Sequence, residues 1–220
     1  MPEIAEVETV RKTLKRMILN KRIENVDVIY ARIIENSTDE FKQKLKGHSI
    51  IDIERIGKWL LFDLSEYYLL CHLRMEGKFF VKNKKDAIVK HEHIIITFED
   101  QTTLRYHDTR KFGRMRLVKK ENLYEVEAIK KQGIEPISKD LTKEYLYKCF
   151  QNKNTPMKTL LLDQTIISGL GNIYANEVLF GAKIHPEEKG KDITLNDVSY
   201  THLRAHETRQ DRGCRGVREK

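Results

Sequence analysis

The alternation of apolar and polar positions divides the chain into a helical start, a long β-rich region and a helical second half. Residues 5–19 carry apolar side chains at helical spacing, with acidic residues at the start and basic residues toward the end. From about residue 22 to 118 the period is that of strands, in runs such as SIIDIERIGKWLLFDLS and HIIITFED separated by polar or glycine turns. This pattern predicts a mostly antiparallel sandwich or barrel with the first helix packed against it.

The pattern changes again at GIEPISKD, residues 133–140, where a glycine, a proline and a polar stretch indicate a domain boundary. Helical patterns follow in LTKEYLYKCFQ, PMKTLLLD and NIYANEVLFGA, and DITLNDVSY is typical of one more helix start. We therefore expect an α+β protein, with an N-terminal helix on an antiparallel β-sandwich over residues 1–133. A small helical domain over residues 134–198 follows it.

The last residues, 199–220, have a different composition. Residues 117 to 203 contain twelve lysines and no arginine, whereas five arginines follow within fifteen residues. Such a break is typical of a disordered tail, a basic nucleic-acid arm or foreign sequence. The stretch SYTHLRAHETRQD resembles translated sequencing-adapter read-through, so we expect this tail to be non-native.

The charge balance permits a polyanionic partner. The chain has 41 Lys and Arg against 33 Asp and Glu, a net charge of +8. Its three cysteines form no CxxC pair, which is typical of a reducing compartment and predicts neither a disulfide nor a metal site. No apolar run reaches the length of a membrane span, and the start is too charged for a signal peptide. These features predict a cytoplasmic protein.

The start of the chain, MPEIAEVETVRKTL, has two interpretations. Proline and nearby acids are common at a helix N-terminus, and that is the simpler one. However, removal of the initiator methionine would leave Pro2 with a free secondary amine, whose reference pKa is about 7.7–8.0. Such an amine attacks an aldehyde-like carbon to give an iminium ion, and the adjacent Glu3 is a candidate acid or base.

Three further motifs combine features that suit nucleic acid. YHDTRKFGRMR interleaves basic residues with an aromatic, which fits phosphate contact and wedge insertion or, more simply, a solvated strand edge. HLRMEGKF places a methionine in a tight basic segment, although methionine is most often a core residue. SGLGNIYANE opens a helix with a glycine turn, where backbone N–H groups could bind a phosphate or simply join two helices.

Taken in order, these stretches resemble the bacterial formamidopyrimidine-DNA glycosylase family, repair enzymes for oxidised purines. The matching segments are PEIAEVETVRKTL, IGKWLLFDL, HLRMEGKF, LRYHDTRKFG, GIEPI and SGLGNIYANEVLFGAKIHP. The resemblance implies a DNA glycosylase and apurinic/apyrimidinic lyase that acts on damaged double-stranded DNA as a single chain. It also implies a helix-two-turn-helix domain after the β-domain.

The resemblance assigns roles to particular residues. Pro2 would attack the anomeric carbon, Glu3 would transfer protons around the sugar, and Lys58 would donate a proton in β-elimination. Glu6 matches a buried acid that orders the active site. The side chains that would fill the space left by the extruded lesion are Met75, Arg110 and Phe112. The positions that match phosphate-backbone contacts are His72, His91, Lys153, Lys158, Asn172 and Tyr174.

The chain departs from the family pattern at two internal positions and at its end. Ala5 stands where the family commonly has proline, Thr109 stands where its DPRR-type members have proline, and neither change removes a functional group. The family's C-terminal four-cysteine zinc finger has no counterpart, because Cys214 is the only cysteine beyond Cys149. The resemblance is therefore to a C-terminally truncated member without a cofactor.

Two alternatives remain open at this point. One is the sister activity on oxidised pyrimidines, which uses the same Pro-Glu start. The other is a non-catalytic protein that binds damaged DNA without cutting it. Comparison of 8-oxoguanine with thymine glycol as substrates would separate the first from the main hypothesis, and covalent trapping would separate the second.

Overall fold

Two hydrophobic cores organise the chain, each with its own set of elements. The computed structural model describes residues 2–198, which divide into two units. The first unit contains Pro2 and residues 6–126, and the second contains residues 3–5 together with those from 127 onward. Each unit is therefore treated by itself below.

The first unit is built on two four-stranded antiparallel sheets, ordered β1-β6-β7-β5 and β2-β3-β4-β8. The strands are β1 (Ile23–Val28), β2 (Asp52–Ile56), β3 (Trp59–Asp63), β4 (Tyr67–His72), β5 (Lys78–Asn83), β6 (Glu92–Phe98), β7 (Thr102–His107) and β8 (Arg114–Lys119). The inner faces of both sheets contribute to one core, in which Phe62 and Phe79 pack edge to face at 5.7 Å. The architecture is a sandwich rather than a barrel.

Helix α1 (Ile4–Ile18) packs its apolar stripe into this core through Val7, Leu14 and Ile18. A second helix, α2 (Thr38–Leu45), lies between β1 and β2 and buries Phe41 and Leu45 one turn apart. The strand period over residues 22–118 predicts only strands and turns there, so helix α2 is a difference from the predicted elements.

A buried ion pair fixes the segment that joins β5 to β6. Arg105 on β7 is paired with Glu92 at 3.0 Å, and both side chains are almost fully buried. Burial by itself raises the pKa of Glu92, but hydrogen bonds from Lys82 and Arg105 outweigh that effect and lower it. Nη1 also donates to the carbonyl of Ala87 and Nη2 to those of Asn83 and Asp86, while Nε donates to the hydroxyl of Thr103. One guanidinium therefore provides hydrogen bonds to three backbone carbonyls of the irregular segment between β5 and β6.

The second unit is helical. Its helices are α3 (Glu127–Lys130), α4 (Lys143–Phe150), α5 (Met157–Leu162) and α6 (Asn172–Ala182), and they surround a separate core. Thr142 caps α4 by accepting a hydrogen bond from the backbone N–H of Tyr145. A further helical turn begins at Leu195, as the sequence predicts.

The predicted fold class, α+β with an N-terminal helix on an antiparallel sandwich followed by a helical domain, is confirmed. The predicted domain limits at residues 133 and 134 stay a prediction, while the two units divide between Val126 and Glu127. The prediction for residues 199–220 lies outside the described residues. Within residues 2–198, no helix has the length and apolar character needed to cross a membrane.

Candidate active site and nucleic-acid interface

A cleft of about 730 Å³ in the first unit begins at Pro2. It runs along one face of α1 and is bounded on the other side by the Met75 turn, which we define as Leu73–Gly77, and by β5. Pro2, Glu6 and Met75 all line it, so three of the predicted residues share one concave surface. A volume of this size is in the range of small-ligand sites.

The expectation that Glu6 is buried is wrong, because its side chain is exposed on the cleft side of α1. The buried acid of this helix is Glu8, which accepts hydrogen bonds from Arg11 and Arg55. Burial raises the pKa of Glu8, but these bonds prevail and lower it to about 2. The catalytic role predicted for Glu6 stays a prediction.

Lys58 occupies the two-residue turn between β2 and β3, where Gly57 adopts a φ of +55°. The lysine side chain is buried close to His72, whose ring packs edge to face against Trp59 at 4.9 Å. Burial, together with the charges of Arg74 and Lys58, lowers the pKa of His72 to about 3. His72 is therefore neutral at physiological pH, and its Nδ1 accepts the backbone N–H of Arg74 at 3.0 Å.

The neutral state of His72 limits what this residue can do. With Nδ1 as acceptor, the ring proton is on Nε2, so His72 could donate one hydrogen bond to a phosphate but not form an ion pair. Its hydrogen bond instead fixes the start of the Met75 turn. A DNA contact by His72 stays a prediction.

The second predicted motif forms the Phe112 loop, which we define as Asp108–Gly113. The guanidinium of Arg110 stacks over the ring of Phe112 at 4.7 Å, so the predicted wedge and the predicted hydrogen-bond donor lie together. Phe112 and Met75 both remain nearly half exposed, at 47% and 41%. This exposure leaves both side chains available for contact with a ligand, as it does for other exposed apolar residues of the described chain such as Phe180 and Tyr124.

His91 lies at the end of the loop that Arg105 fixes, with a φ of +73°. Its ring is 5.7 Å from that of His107 and 6.2 Å from that of His93. Burial and the neighbouring charge of Lys90 lower the pKa of His91. The ring is half-buried, and its predicted phosphate contact stays a prediction.

In the second unit, Glu3 is bound at the start of α6. Its carboxylate accepts hydrogen bonds from the backbone N–H groups of Gly171 at 3.0 Å, Ile173 at 2.8 Å and Tyr174 at 3.2 Å. The positive end of a helix dipole and its unpaired N–H groups favour an anion at this position. The idea that the glycine turn binds a phosphate through these groups is therefore wrong, because they bind Glu3.

The glycine turn is needed for this arrangement. A Cβ on Gly171 would lie 2.5 Å from Oε1 of Glu3 and would displace the carboxylate. Gly169 has a φ of +91°, and its carbonyl accepts the backbone N–H of Ile4 at 3.1 Å. The sequence shows both glycines, but their spacing does not reveal that Gly171 binds Glu3, which lies 168 residues earlier in the chain.

The other predicted backbone contacts of this unit differ in exposure. Lys153 is exposed between α4 and α5, Lys158 is half-buried in the first turn of α5, and Asn172 is exposed at the start of α6. Tyr174 is buried, with 2% of its surface exposed. Residues 2–198 contain no cluster of three or more His, Cys, Asp or Glu side chains that could hold a metal ion.

Comparisons with known proteins agree with this architecture. The family model described as the Formamidopyrimidine-DNA glycosylase N-terminal domain matches residues 1–115, and that of the H2TH domain matches residues 132–211. The formamidopyrimidine-DNA glycosylase of Ligilactobacillus salivarius is 45% identical over 199 residues, which cover 90% of this chain and 72% of that protein. The one of Halalkalibacterium halodurans is 44% identical, over 92% of this chain and 74% of that protein.

A solved structure gives the same result. The Lactococcus lactis formamidopyrimidine-DNA glycosylase, noncovalently bound to DNA that contains an AP site, aligns with a TM-score of 0.91 at 34% identity. The alignment covers 95% of this chain and 80% of that one. The β-sandwich, the cleft at Pro2 and these matches together define an enzyme of the DNA glycosylase class. The chain belongs to the formamidopyrimidine-DNA glycosylase family.

Proposed function

We propose that the chain excises oxidised purines, namely 8-oxoguanine and formamidopyrimidines, from duplex DNA and then cleaves the strand. The observation that carries this proposal is the position of Pro2 in a cleft that also contains Glu6 and the Met75 turn. The solved relatives were crystallised with DNA that contains an abasic site or a substituted formamidopyrimidine, which supports damaged DNA as the partner.

In the proposed reaction, the secondary amine of Pro2 attacks C1′ of the damaged nucleotide. The bond from C1′ to the base breaks, the base leaves with a proton, and loss of the sugar ring oxygen as a leaving group gives an iminium ion. Glu3 transfers the protons at the sugar. A proton then leaves C2′ and the C3′–O bond breaks, with Lys58 as the proton donor in this β-elimination.

The lesion must leave the helical stack before this chemistry. Extrusion costs a few kcal/mol of unstacking, and side chains that enter the vacated space offset part of it. Met75, Arg110 and Phe112 are exposed on tight loops of the first unit and fit that task. Phosphate contacts by the exposed lysines would position the duplex without reading its sequence.

Borohydride trapping tests the proposal. Reduction of the iminium ion should yield a stable covalent complex between the protein and an 8-oxoguanine duplex, and mass spectrometry should locate the DNA on residue 2. Pro2→Gly should trap much less. Equal trapping by Pro2→Gly would refute the assigned nucleophile, and faster excision of thymine glycol than of 8-oxoguanine would favour the sister activity on pyrimidines. Damage-specific binding without any trapping would indicate a non-catalytic protein.

A further inference from the structure

Two loops of the first unit, the Met75 turn and the Phe112 loop, are held by contacts of three residues that are not among the predicted site residues, namely Tyr106, Asp108 and Thr109. We propose that Tyr106, Asp108 and Thr109 are positioning residues that hold these two loops as one unit, so that Met75, Arg110 and Phe112 enter DNA together. The proposal rests on the proposed function, because it concerns the step in which the lesion is extruded.

The first contact is the hydroxyl of Tyr106, which lies between a glycine of each loop. A Cβ at either Gly77 or Gly113 would overlap with this oxygen, so both loops approach the same buried atom closely. Tyr106 has only 1% of its surface exposed, and its ring packs against Phe79 at 5.3 Å. The two glycines are therefore required by the tyrosine, since any side chain there would push one loop away.

The second contact is the carboxylate of Asp108, which closes the Phe112 loop from inside. Its Oδ1 accepts the backbone N–H of Arg110 at 3.0 Å, and its Oδ2 accepts that of Gly113 at 2.8 Å. Oδ2 also accepts the hydroxyl of Tyr106 at 3.3 Å. Asp108 is fully buried, so these bonds are shielded from water and fix the backbone on both sides of Phe112.

The protonation state of Tyr106 agrees with this role. Burial raises the pKa of Tyr106, and the nearby Cys71 thiol and Asp108 carboxylate raise it further. The hydroxyl therefore keeps its proton at physiological pH and acts as the donor in its bond to Asp108.

The third contact joins the two loops through a pair of exposed side chains. The hydroxyl of Thr109 donates a hydrogen bond to Oε2 of Glu76. Glu76 follows Met75 and Thr109 precedes Arg110, so this bond directly links the backbones that carry two of the predicted inserting side chains. Members of the family with a DPRR motif have proline at this position, which has no hydroxyl and cannot form this bond.

The coupling has a consequence for the reaction. Side chains that must occupy one small space at the same time lose less conformational entropy if their loops are already held together. Release of either loop should therefore slow base extrusion in a duplex. It should not affect the chemistry at a sugar that needs no extrusion and has no orphaned base opposite it.

The test uses Thr109→Val, an isosteric change on the surface, with Thr109→Ser as the variant that keeps the hydroxyl. Each protein is assayed on an 8-oxoguanine duplex and on a single-stranded oligonucleotide with one abasic site. We expect Thr109→Val to lower kcat/KM on the duplex about 3- to 10-fold, the range for one hydrogen bond, and to leave cleavage of the single strand unchanged. Thr109→Ser should restore most of the duplex rate.

The matched control is Thr102→Val, which removes the same kind of bond at the other end of β7. There the hydroxyl of Thr102 donates to Oδ1 of Asp100 at 2.5 Å and accepts a hydrogen bond from Nζ of Lys21 at 2.8 Å, far along the strand from both loops. This variant should match the wild type on both substrates. Tyr106→Phe, which removes only the buried hydroxyl, should behave like Thr109→Val on the duplex, and a 2-aminopurine opposite the lesion should report the altered orphan-base environment.

The outcomes separate this inference from the proposed function. If the wild-type protein traps on the lesion duplex and Thr109→Val excises at the wild-type rate, the inference is overturned. It is also overturned if Thr109→Val slows both substrates equally, because the effect would then not be on extrusion. Absence of trapping by the wild type would instead refute the proposed function.

Discussion

The bonds of Glu3 to the start of α6 predict that Glu3→Gln destabilises the second unit as well as affecting catalysis. Hydrogen bonds to a charged group contribute about 1.5–3 kcal/mol and neutral ones about 0.5–1.5 kcal/mol. Glutamine keeps one oxygen, which can still accept two of the three N–H groups, those of Gly171 and Tyr174, from the Oε2 position. Its NH₂ group then faces the N–H of Ile173, which loses its acceptor.

The expected cost follows from these terms. Two charged bonds become neutral at about 1 kcal/mol each, and one partly buried N–H, that of Ile173, loses its acceptor at about 1 kcal/mol. The sum is about 3 kcal/mol. Since 1 kcal/mol shifts Tm by roughly 2–4 °C in a chain of this size, Glu3→Gln should lower Tm by roughly 6–12 °C.

Thermal unfolding followed by circular dichroism at 222 nm measures this effect. Glu187→Gln is the matched control, because Glu187 belongs to the same unit and its side chain is exposed. It should melt close to the wild type, as surface substitutions usually do. The expected difference in Tm between Glu3→Gln and Glu187→Gln is roughly 6–12 °C. A difference of less than about 2 °C would refute the reasoning.

Three further predictions concern the first unit. Because the folded pKa of Glu8 is about 2 instead of 4.5, its stabilisation is complete above pH 4.5 and is lost as pH falls through 2. Urea unfolding should show Glu8→Gln to be roughly 2–3 kcal/mol less stable at pH 7, with a flatter dependence on pH in that window. Arg105→Met should cost about 3–5 kcal/mol in the same assay, since it removes one of the two cations that pair with the buried Glu92 and the donor to the carbonyls of Asn83, Asp86 and Ala87. Phe112→Ala should change the free energy of unfolding by less than about 0.5 kcal/mol, yet weaken binding to a lesion duplex at least tenfold in a fluorescence-anisotropy titration.

Much of the first unit follows from local pattern. Strands β3, β4 and β6 are strongly apolar, and the first helix has an apolar stripe, so the local pattern identifies them. Helix α2 was missed although its signals were present. Phe41 and Leu45 are one turn apart, acids fill its first turn, and Gly47 follows its end. With only eight residues, α2 completes about two helical turns, which is too few for a helical period to be recognised within a region of strand-like pattern.

Less of the candidate site than of the fold could be predicted from the sequence. Residue chemistry makes Pro2, Met75 and Phe112 candidates and the family resemblance assigns their roles, but nothing in their spacing shows that Pro2 and Met75 share a cleft. Asp108 and Tyr106 were not identified at all, because a buried carboxylate and a buried hydroxyl have no period. The only local hint was an Asp at the end of a strand, a residue type that often bonds to the backbone two residues later, as Asp108 does to Arg110.

The backbone of the candidate interface gives a physical reason to treat its loops as functional. Arg74, His91 and Lys111 have φ values of +54°, +73° and +57°, a conformation that costs roughly 1–2 kcal/mol for a residue with a side chain. Glycine would adopt it freely, so each of these positions keeps a long or aromatic side chain against a backbone preference. Arg74 precedes Met75, and Lys111 separates Arg110 from Phe112. Arg74 and Lys111 thus adjoin side chains that the proposed function sends into DNA, and five further non-glycine residues of the described chain, Asn20, Ser65, Gln101, Asn152 and Lys183, share this conformation elsewhere.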